Sequence, residues 1–413
     1  MNTTKKRIFG IVSDLAFSIA GLLLMNGMLQ LLINPMLNNW LGETEFGNYQ
    51  SIFAVVSIMG TTFGVAANYS RMVRSREHAD TNGDYNIFLT AVAVLSVAVA
   101  AVTLIGYKSF SVTHFILLSI LTILTVLRYY GDVNYRMSMN YKGFFLYYVL
   151  ITVGYCVGLL AFKYISSQWM LTIIVGELAA VIFVSINGSI FKGKNLLKPS
   201  ENFKGNIKSV SILSGTNIIS AVAQNADKII LRLAQGGEAV TTFYVSTLLG
   251  KVISLLTTPL NSVLISYLTK YEGKITKKIF SVFALALLGV GAVAWIGCFV
   301  ASIIFVKIFY PDVYDTARQY FLLANLGQIF YFISNSLMTV LLRMATEKYQ
   351  MMINIVYAVI YAAAVIPLTL SFGLWGITIG LLIANGSKFL IVSVVGFFKA
   401  DKPEKKAIED GQQ

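Results

Sequence analysis

The chain has 413 residues, 56% of them hydrophobic and 12% charged, with a mean hydropathy of +0.72. An ordinary soluble domain carries about 25% charged residues, so composition excludes a soluble protein and leaves no room for a separate soluble domain. Net charge is +13, but the basic residues fall in short loops between apolar runs, which reads as topology signalling rather than nucleic-acid binding.

Twelve apolar runs are long enough to cross a hydrocarbon core of about 30 Å at 1.5 Å per residue. They lie at 15–38, 48–68, 86–107, 111–130, 143–163, 168–191, 208–233, 240–267, 279–306, 319–342, 350–371 and 375–398. Backbone in lipid must satisfy its own hydrogen bonds, so all are expected to be helices. The fold class is an all-α polytopic membrane protein of about 12 transmembrane helices.

Span 1 follows the basic segment MNTTKKRIFG and is interrupted by Asn26 and Gln30, the pattern of a retained span rather than a cleaved signal peptide. Asn26, Gln30 and Asn34 recur at a spacing of four, on one helix face. The link to span 2 reads GETEFGNYQS, from Gly42 to Ser51. Span 6 carries a carboxyl near its middle, Glu177. Between spans 6 and 7 lies FKGKNLLKPSENFKGNIK, basic and carrying Pro199, which reads as a hinge between two halves. The expected organisation is therefore a six-helix bundle over 1–198, a second over 199–400, and a charged tail over 401–413.

The second half repeats a feature of the first. Gly237-Glu238 is followed by Tyr244 and Ser246, as Gly42-Glu43 is followed by Tyr49 and Ser51, both reading G-E-x5-Y-x-S. Span 7 is unusually charged, with Gln224, Lys228 and Arg232 on one face and Asp227 beside them. Span 8 carries Thr247, Lys251, Ser254, Thr258 and Asn261 on one stripe, and span 10 carries Asn325, Gln328, Asn335 and Thr339. Such side chains commonly hold helices together, yet four striped helices point to a hydrophilic lumen.

With the N-terminus in the cytoplasm, 24 of the 32 Lys and Arg fall on the cytoplasmic side, including Arg71, Arg74, Arg76, Arg128 and Arg136. The outer side keeps Lys108, Lys163, Lys307 and Arg318. That bias fits an even number of crossings with both termini cytoplasmic. Four cations remain inside spans: Lys228, Arg232, Lys251 and Lys388. A cation at the centre of a span costs about 2.5–3.5 kcal/mol and needs a partner or a wet cavity. Lys228 and Arg232 lie within about 8 Å of the outer end and can snorkel; Lys251 and Lys388 lie about 16–20 Å in. For these two, a buried pair with Glu177 or another acid is the structural alternative to a substrate role. A membrane carboxyl such as Glu177 or Asp227 is a candidate for ion coupling.

No motif for metal, nucleotide or nucleophilic chemistry occurs, and the outer loops are short. Cys156 and Cys298 lie in apolar runs and indicate no disulfide framework or metal site. No cofactor and no enzymatic activity are expected.

The segment NPMLNNWLGETEFGNYQSI resembles the start of O-antigen-type polysaccharide flippases (Wzx), with Pro35, Leu41, Gly42, Glu43, Phe46, Gly47 and Tyr49 in matching places. Ala226-Asp227-Lys228 followed by Ile-Ile-Leu resembles their second-half signature. Tyr310-Pro311 with Tyr314 and Ala317, and Gly373-Leu374-Trp375-Gly376-Ile377, are similar to segments before spans 10 and 12. The resemblance extends over the whole chain. It implies the multidrug/oligosaccharidyl-lipid/polysaccharide exporter superfamily, two six-helix bundles facing a V-shaped cavity that alternates its opening. It also implies a substrate-binding cavity in which basic residues, here Lys228, Arg232, Lys251 and Lys388, meet a lipid diphosphate or acidic sugars. The polar residues Asn26, Gln30, Asn34, Gln224, Asn325 and Gln328 would line it. Span 1 departs from the pattern by lacking a basic residue.

The expectation is thus a flippase moving an undecaprenyl-diphosphate-linked oligosaccharide across a bacterial inner membrane, for O-antigen, lipopolysaccharide or a related surface polymer. A polysaccharide polymerase and a chain-length regulator would be partners; nucleic acid would not. A lipid II-type flippase and a multidrug antiporter of the same superfamily are the alternatives. A membrane glycosyltransferase or polymerase would need clustered acids or a large outer loop.

Overall fold

The computed structural model describes residues 3–75, 82–193, 196–257, 260–261, 264, 268, 273–345 and 347–400, with backbone alone over 3–15 and 347–348. Arg76, His78, Lys194, Thr258, Lys270 and the tail 401–413 lie outside the described residues.

Every regular element among the described residues is helical. In chain order, α1 (Thr3–Met28) passes through a π-helical turn (Leu29–Ile33) into α2 (Asn34–Leu41). Next, α3 (Glu43–Met59) passes through a second such turn (Gly60–Gly64) into α4 (Val65–Arg74). There follow α5 (Asn82–Gly106), α6 (Val112–Gly131), the short α7 (Val133–Met137), α8 (Tyr141–Tyr164) and α9 (Met170–Asn187). The 33-residue α10 (Phe203–Gln235) leads into α11 (Gly237–Leu255). Last come α12 (Lys277–Phe309), α13 (Pro311–Ala317), α14 (Phe321–Met344) and the long α15 (Glu347–Lys399).

Among the described residues, nine helices are long and apolar enough to span a membrane. Three physical facts separate this number from twelve. Helix α10 has the length but carries Asp227, Lys228 and Arg232. Helix α11 runs toward residues outside the described set. The third lies in α15, which is two helices meeting at Gly373, where φ is 58° and ψ −127°. An L-residue strongly disfavours that conformation. Gly376 and Gly380 then press against the backbone of Leu368 and Val365, so the two arms fold back on each other. The chain is a multi-pass, all-α membrane protein.

Burial is distributed as lipid requires. Large apolar side chains such as Val94, Val102, Val293 and Leu370 are exposed, while many polar groups turn inward. In water the reverse holds; in hydrocarbon there is no drive to bury a valine, and a polar group must find protein partners.

Contacts divide the chain into two compact units, Met1–Val240 and Thr241–Gln413. In the first, α8 packs on α1 and α9, α6 on α5 and α9, and α10 on α3 and α4. A polar seam explains why α10 joins this unit. Ser70 donates to Ser209 (2.9 Å), Arg74 Nε to Asn206 (3.1 Å), and Asn206 Nδ2 to the fully buried Asp84 (2.8 Å). Asp84 also accepts from the Ser200 amide at 2.7 Å, which fastens the segment before α10 to α5. In the second unit α14 packs on α12 and α15 around Phe280, Ile329, Ile333, Leu337, Phe389 and Val392.

Candidate functional site

The repeated motif is structural in both units. Ser51 Oγ donates to the Gly47 carbonyl (2.9 Å) and lies 3.3 Å from the Lys228 carbonyl of α10. Ser246 Oγ does the same with Thr242 (2.6 Å) and Ala317 (3.3 Å). Each serine thus ties its own helix to a neighbour. Gly47 meets Gly237 so closely that a Cβ on either would overlap backbone of the partner segment. Tyr49, fully buried, donates to Asn34 Oδ1 at 2.9 Å. Of the span 1 stripe, Asn34 is therefore a packing partner, and Asn26 bonds its own helix at the Leu22 carbonyl (2.9 Å). Gln30 keeps a buried Oε1 with no protein partner. The π-helical turn at Leu29–Ile33 lies between Asn26 and Asn34 and shifts their phase.

Arg128, assigned to a cytoplasmic loop from the charge pattern, is instead inside α6 and 4% exposed. Its Nε lies 2.8 Å from Glu177 Oε2 on α9, and the guanidinium stands 3.8 Å from the Tyr129 ring centre. Tyr155 donates to Glu177 Oε1 at 2.8 Å, so both carboxylate oxygens are engaged. The partner of Glu177 is thus an arginine of its own unit. One turn on, Asp132 accepts from Tyr148 at 3.0 Å and pairs with Arg136 at 3.2 Å. Arg71 is likewise buried, against Tyr130 and Asn82.

On α10, Gln224 is exposed, Lys228 and Arg232 are half-buried, and Asp227 is buried. The Arg232 guanidinium lies over the Tyr107 ring at 5.3 Å. It borders a cavity of about 400 Å³ with Glu45, Asn48, Ser109, His114 and Trp169.

In the second unit, Asn325 is spent on structure. Its Oδ1 accepts from the Gly250 amide (2.7 Å), and its Nδ2 reaches the Phe321 carbonyl (2.8 Å) and Ser302 Oγ (3.2 Å). It clamps α11, α12 and α14 together. Gln328 supplies a carbonyl to Ser254 Oγ at 3.3 Å. Lys251 is half-buried, its ammonium 5.8 Å from the Phe243 ring centre.

Lys388 is different. It is 5% exposed, inside α15, and its Nζ donates to Asn335 Oδ1 at 2.8 Å. Its ammonium stands 4.7 Å from the Tyr357 ring centre and 5.3 Å from that of Tyr331. No carboxylate pairs with it among the described residues. Tyr357 donates to Asn385 Oδ1 (3.0 Å), and Asn385 Nδ2 to the Gly327 carbonyl (3.0 Å), which fixes one wall of the cage. Two phenol rings and an amide give a cation partial compensation; an anion is what the arrangement lacks.

The candidate residues thus fall in two places, Arg232 beside its cavity in the first unit and the Lys388 cage in the second. Sequence reasoning missed Arg128, Tyr155 and Tyr107, whose roles depend on long-range pairing that no local pattern announces.

No family model matches the chain, and no curated protein matches it. Solved structures do resemble it. A lipid II flippase, MurJ, in an inward closed conformation superposes with a TM-score of 0.73 at 13% identity, over 91% of this chain and 86% of that one. The MATE transporter VcmN of Vibrio cholerae in its bent form gives 0.60 at 10% identity, over 97% and 98%. A MATE in the bent conformation gives 0.55 at 14%, over 94% and 93%. At 10–14% identity the likeness is one of fold: the all-α arrangement is shared with a lipid II flippase and with MATE transporters.

Proposed function

We propose that this chain is a flippase that carries an undecaprenyl-diphosphate-linked oligosaccharide across a bacterial inner membrane by alternating access. The observation that carries the reading is Lys388, a buried ammonium held by neutral groups. A diphosphate entering the membrane needs a cation to offset its lost hydration, and a cation with a carboxylate partner would have little to offer it. The basic character of the membrane-embedded residues Lys228, Arg232, Lys251 and Lys388 suits an anionic cargo better than a cationic drug. The two halves proposed from the sequence, 1–198 and 199–400, would rock about the link between them. The termini would face the cytoplasm, and a polymerase and chain-length regulator would act on the product.

The test is reconstitution of the full chain in liposomes with fluorescent undecaprenyl-diphosphate oligosaccharide, scored by exposure in the far leaflet. Lys388→Ala is expected to cut the rate at least tenfold and Lys388→Arg to restore part of it. Wild-type rates in Lys388→Ala would overturn the assignment. An imposed proton or sodium gradient, applied to wild type, Glu177→Gln and Asp227→Asn, tests those two carboxylates as coupling sites. Equal rates with and without a gradient would remove coupling altogether.

A lipid II flippase is the second reading, favoured by the superposition on MurJ. It shares the diphosphate chemistry, so lipid II in the same liposomes separates the two.

A further inference from the structure

The segment between α9 and α10 is fastened to the start of α5. Asn82 Nδ2 donates to the Ser189 and Lys192 carbonyls at 2.7 and 2.6 Å. Asn86 Nδ2 donates to the Leu196 carbonyl at 3.1 Å, and Asp84 accepts from the Ser200 amide at 2.7 Å. Held in this way, the segment closes one side of a cavity of about 440 Å³ between α5 and α6. Leu89 of α5, Val126 of α6, and Phe191, Leu196 and Leu197 of the segment stand on its wall. The two polar side chains on that wall donate elsewhere, Asn86 as above and Thr90 Oγ1 to the Asn86 carbonyl at 2.8 Å.

Such a space has no use for water. An apolar cavity of about 150 Å³ stays dry and takes up an apolar ligand, and this one is larger. It also reaches the protein surface, where Leu197 is 63% exposed. On α5 the wall runs from Asn86 to Ala93, which is about 16 Å from the helix start at 1.5 Å per residue. Half of a hydrocarbon core of about 30 Å is the same length. The cavity therefore occupies a single leaflet, next to the membrane surface that carries the segment, and an acyl chain spans one leaflet.

Charge narrows the choice of lipid. Residues 191–208 include five lysines and one acid, Glu201. Lys192 and Lys198 each follow a wall residue and are exposed; Lys192 Nζ also donates to the Ile186 carbonyl near the end of α9. Lysines clustered at a membrane surface attract anionic head groups and have no net attraction for zwitterionic ones.

We propose that the groove between α5, α6 and this segment seats one acyl chain of an anionic phospholipid, with Lys198 and Lys192 meeting its phosphate. A lipid of the surrounding leaflet would then clasp the segment to the first unit. The inference rests on the groove and its lysine rim and is independent of the cargo.

The experiment titrates the purified, delipidated full chain with phosphatidylglycerol, phosphatidylcholine, glycerol phosphate and undecaprenyl phosphate. Bound lipid is read by native mass spectrometry and by melting temperature. Phosphatidylglycerol should bind at least tenfold more tightly than phosphatidylcholine and raise the melting temperature, as a ligand of the folded state does. Glycerol phosphate, which has no chain, should not bind. Ala93→Trp, which fills the groove, and Leu197→Gln, a surface change that takes away part of its wall, should each weaken phosphatidylglycerol at least tenfold. Lys198→Gln should weaken it about fivefold, the equivalent of about 1 kcal/mol for one surface lysine, and leave phosphatidylcholine unchanged. Equal affinity for the two phospholipids, unchanged binding in Leu197→Gln, or glycerol phosphate binding as tight as the lipid would overturn the proposal. Tighter binding of undecaprenyl phosphate, lost in Leu197→Gln, would also overturn it and give the groove to the cargo's tail.

Discussion

Arg128 and Glu177 form a buried ion pair whose two ends lie 49 residues apart, and among the described residues neither forms a second salt bridge. Taking away one member of such a pair strands the other charge, at a cost of about 3–5 kcal/mol, whereas removing both is often nearly neutral. We therefore expect Arg128→Ala to lower stability in detergent by about that amount. The double change Arg128→Ala, Glu177→Gln should recover more than half of it in denaturant unfolding. Additive losses would show that the two side chains act independently. This pair marks where sequence reading stopped at the residue scale. Glu177 was legible as a carboxyl in a span, but Arg128 sits near the end of an apolar run, where a loop residue and an inward-facing one look alike. Lys388 was legible as deep; its tyrosine cage was not, because Tyr331 belongs to α14 and Tyr357 to the arm of α15 before Gly373.

At the scale of elements, the repeat G-E-x5-Y-x-S was visible from spacing alone, while its role emerged only from the two serine pairs of hydrogen bonds. Ser51→Ala and Ser246→Ala should each cost about 0.5–1.5 kcal/mol, the usual net worth of a hydrogen bond. A large loss in one with none in the other would show that the copies no longer do the same work. The turn at Gly373 makes a sharper prediction. Any L-residue there is strained by about 1–3 kcal/mol, so Gly373→Ala should lower the melting temperature, and an unchanged melting curve would contradict the kink. Helix α10 shows why element type was easier to read than element allegiance. Its length follows from composition; its attachment to the first unit follows from Ser209, Asn206 and the Lys228 carbonyl finding partners on α3, α4 and α5. Polar contacts of that kind leave no periodicity to read.

For the whole molecule, hydropathy carried most of the architecture, because lipid forces long apolar helices and leaves little choice of secondary structure. Orientation is the part open to direct test. In a background lacking Cys156 and Cys298, Lys108→Cys should react with an impermeant maleimide in intact cells. Lys277→Cys should react only after permeabilisation. The opposite pattern would invert the topology and move the Arg232 cavity to the cytoplasmic face.

The contrast between the Arg128–Glu177 pair and Lys388 also bears on how the protein responds to membrane voltage. A neutralised pair presents a dipole and no net charge, so a displacement that carries both members together does almost no electrical work. A lone ammonium is coupled to the field by about 2.3 kcal/mol per 100 mV for a full crossing. If Lys388 changes depth while unliganded, the empty protein's conformational step is electrogenic. An anion seated against that ammonium cancels part of the moving charge, so cargo binding itself would make the step less sensitive to voltage.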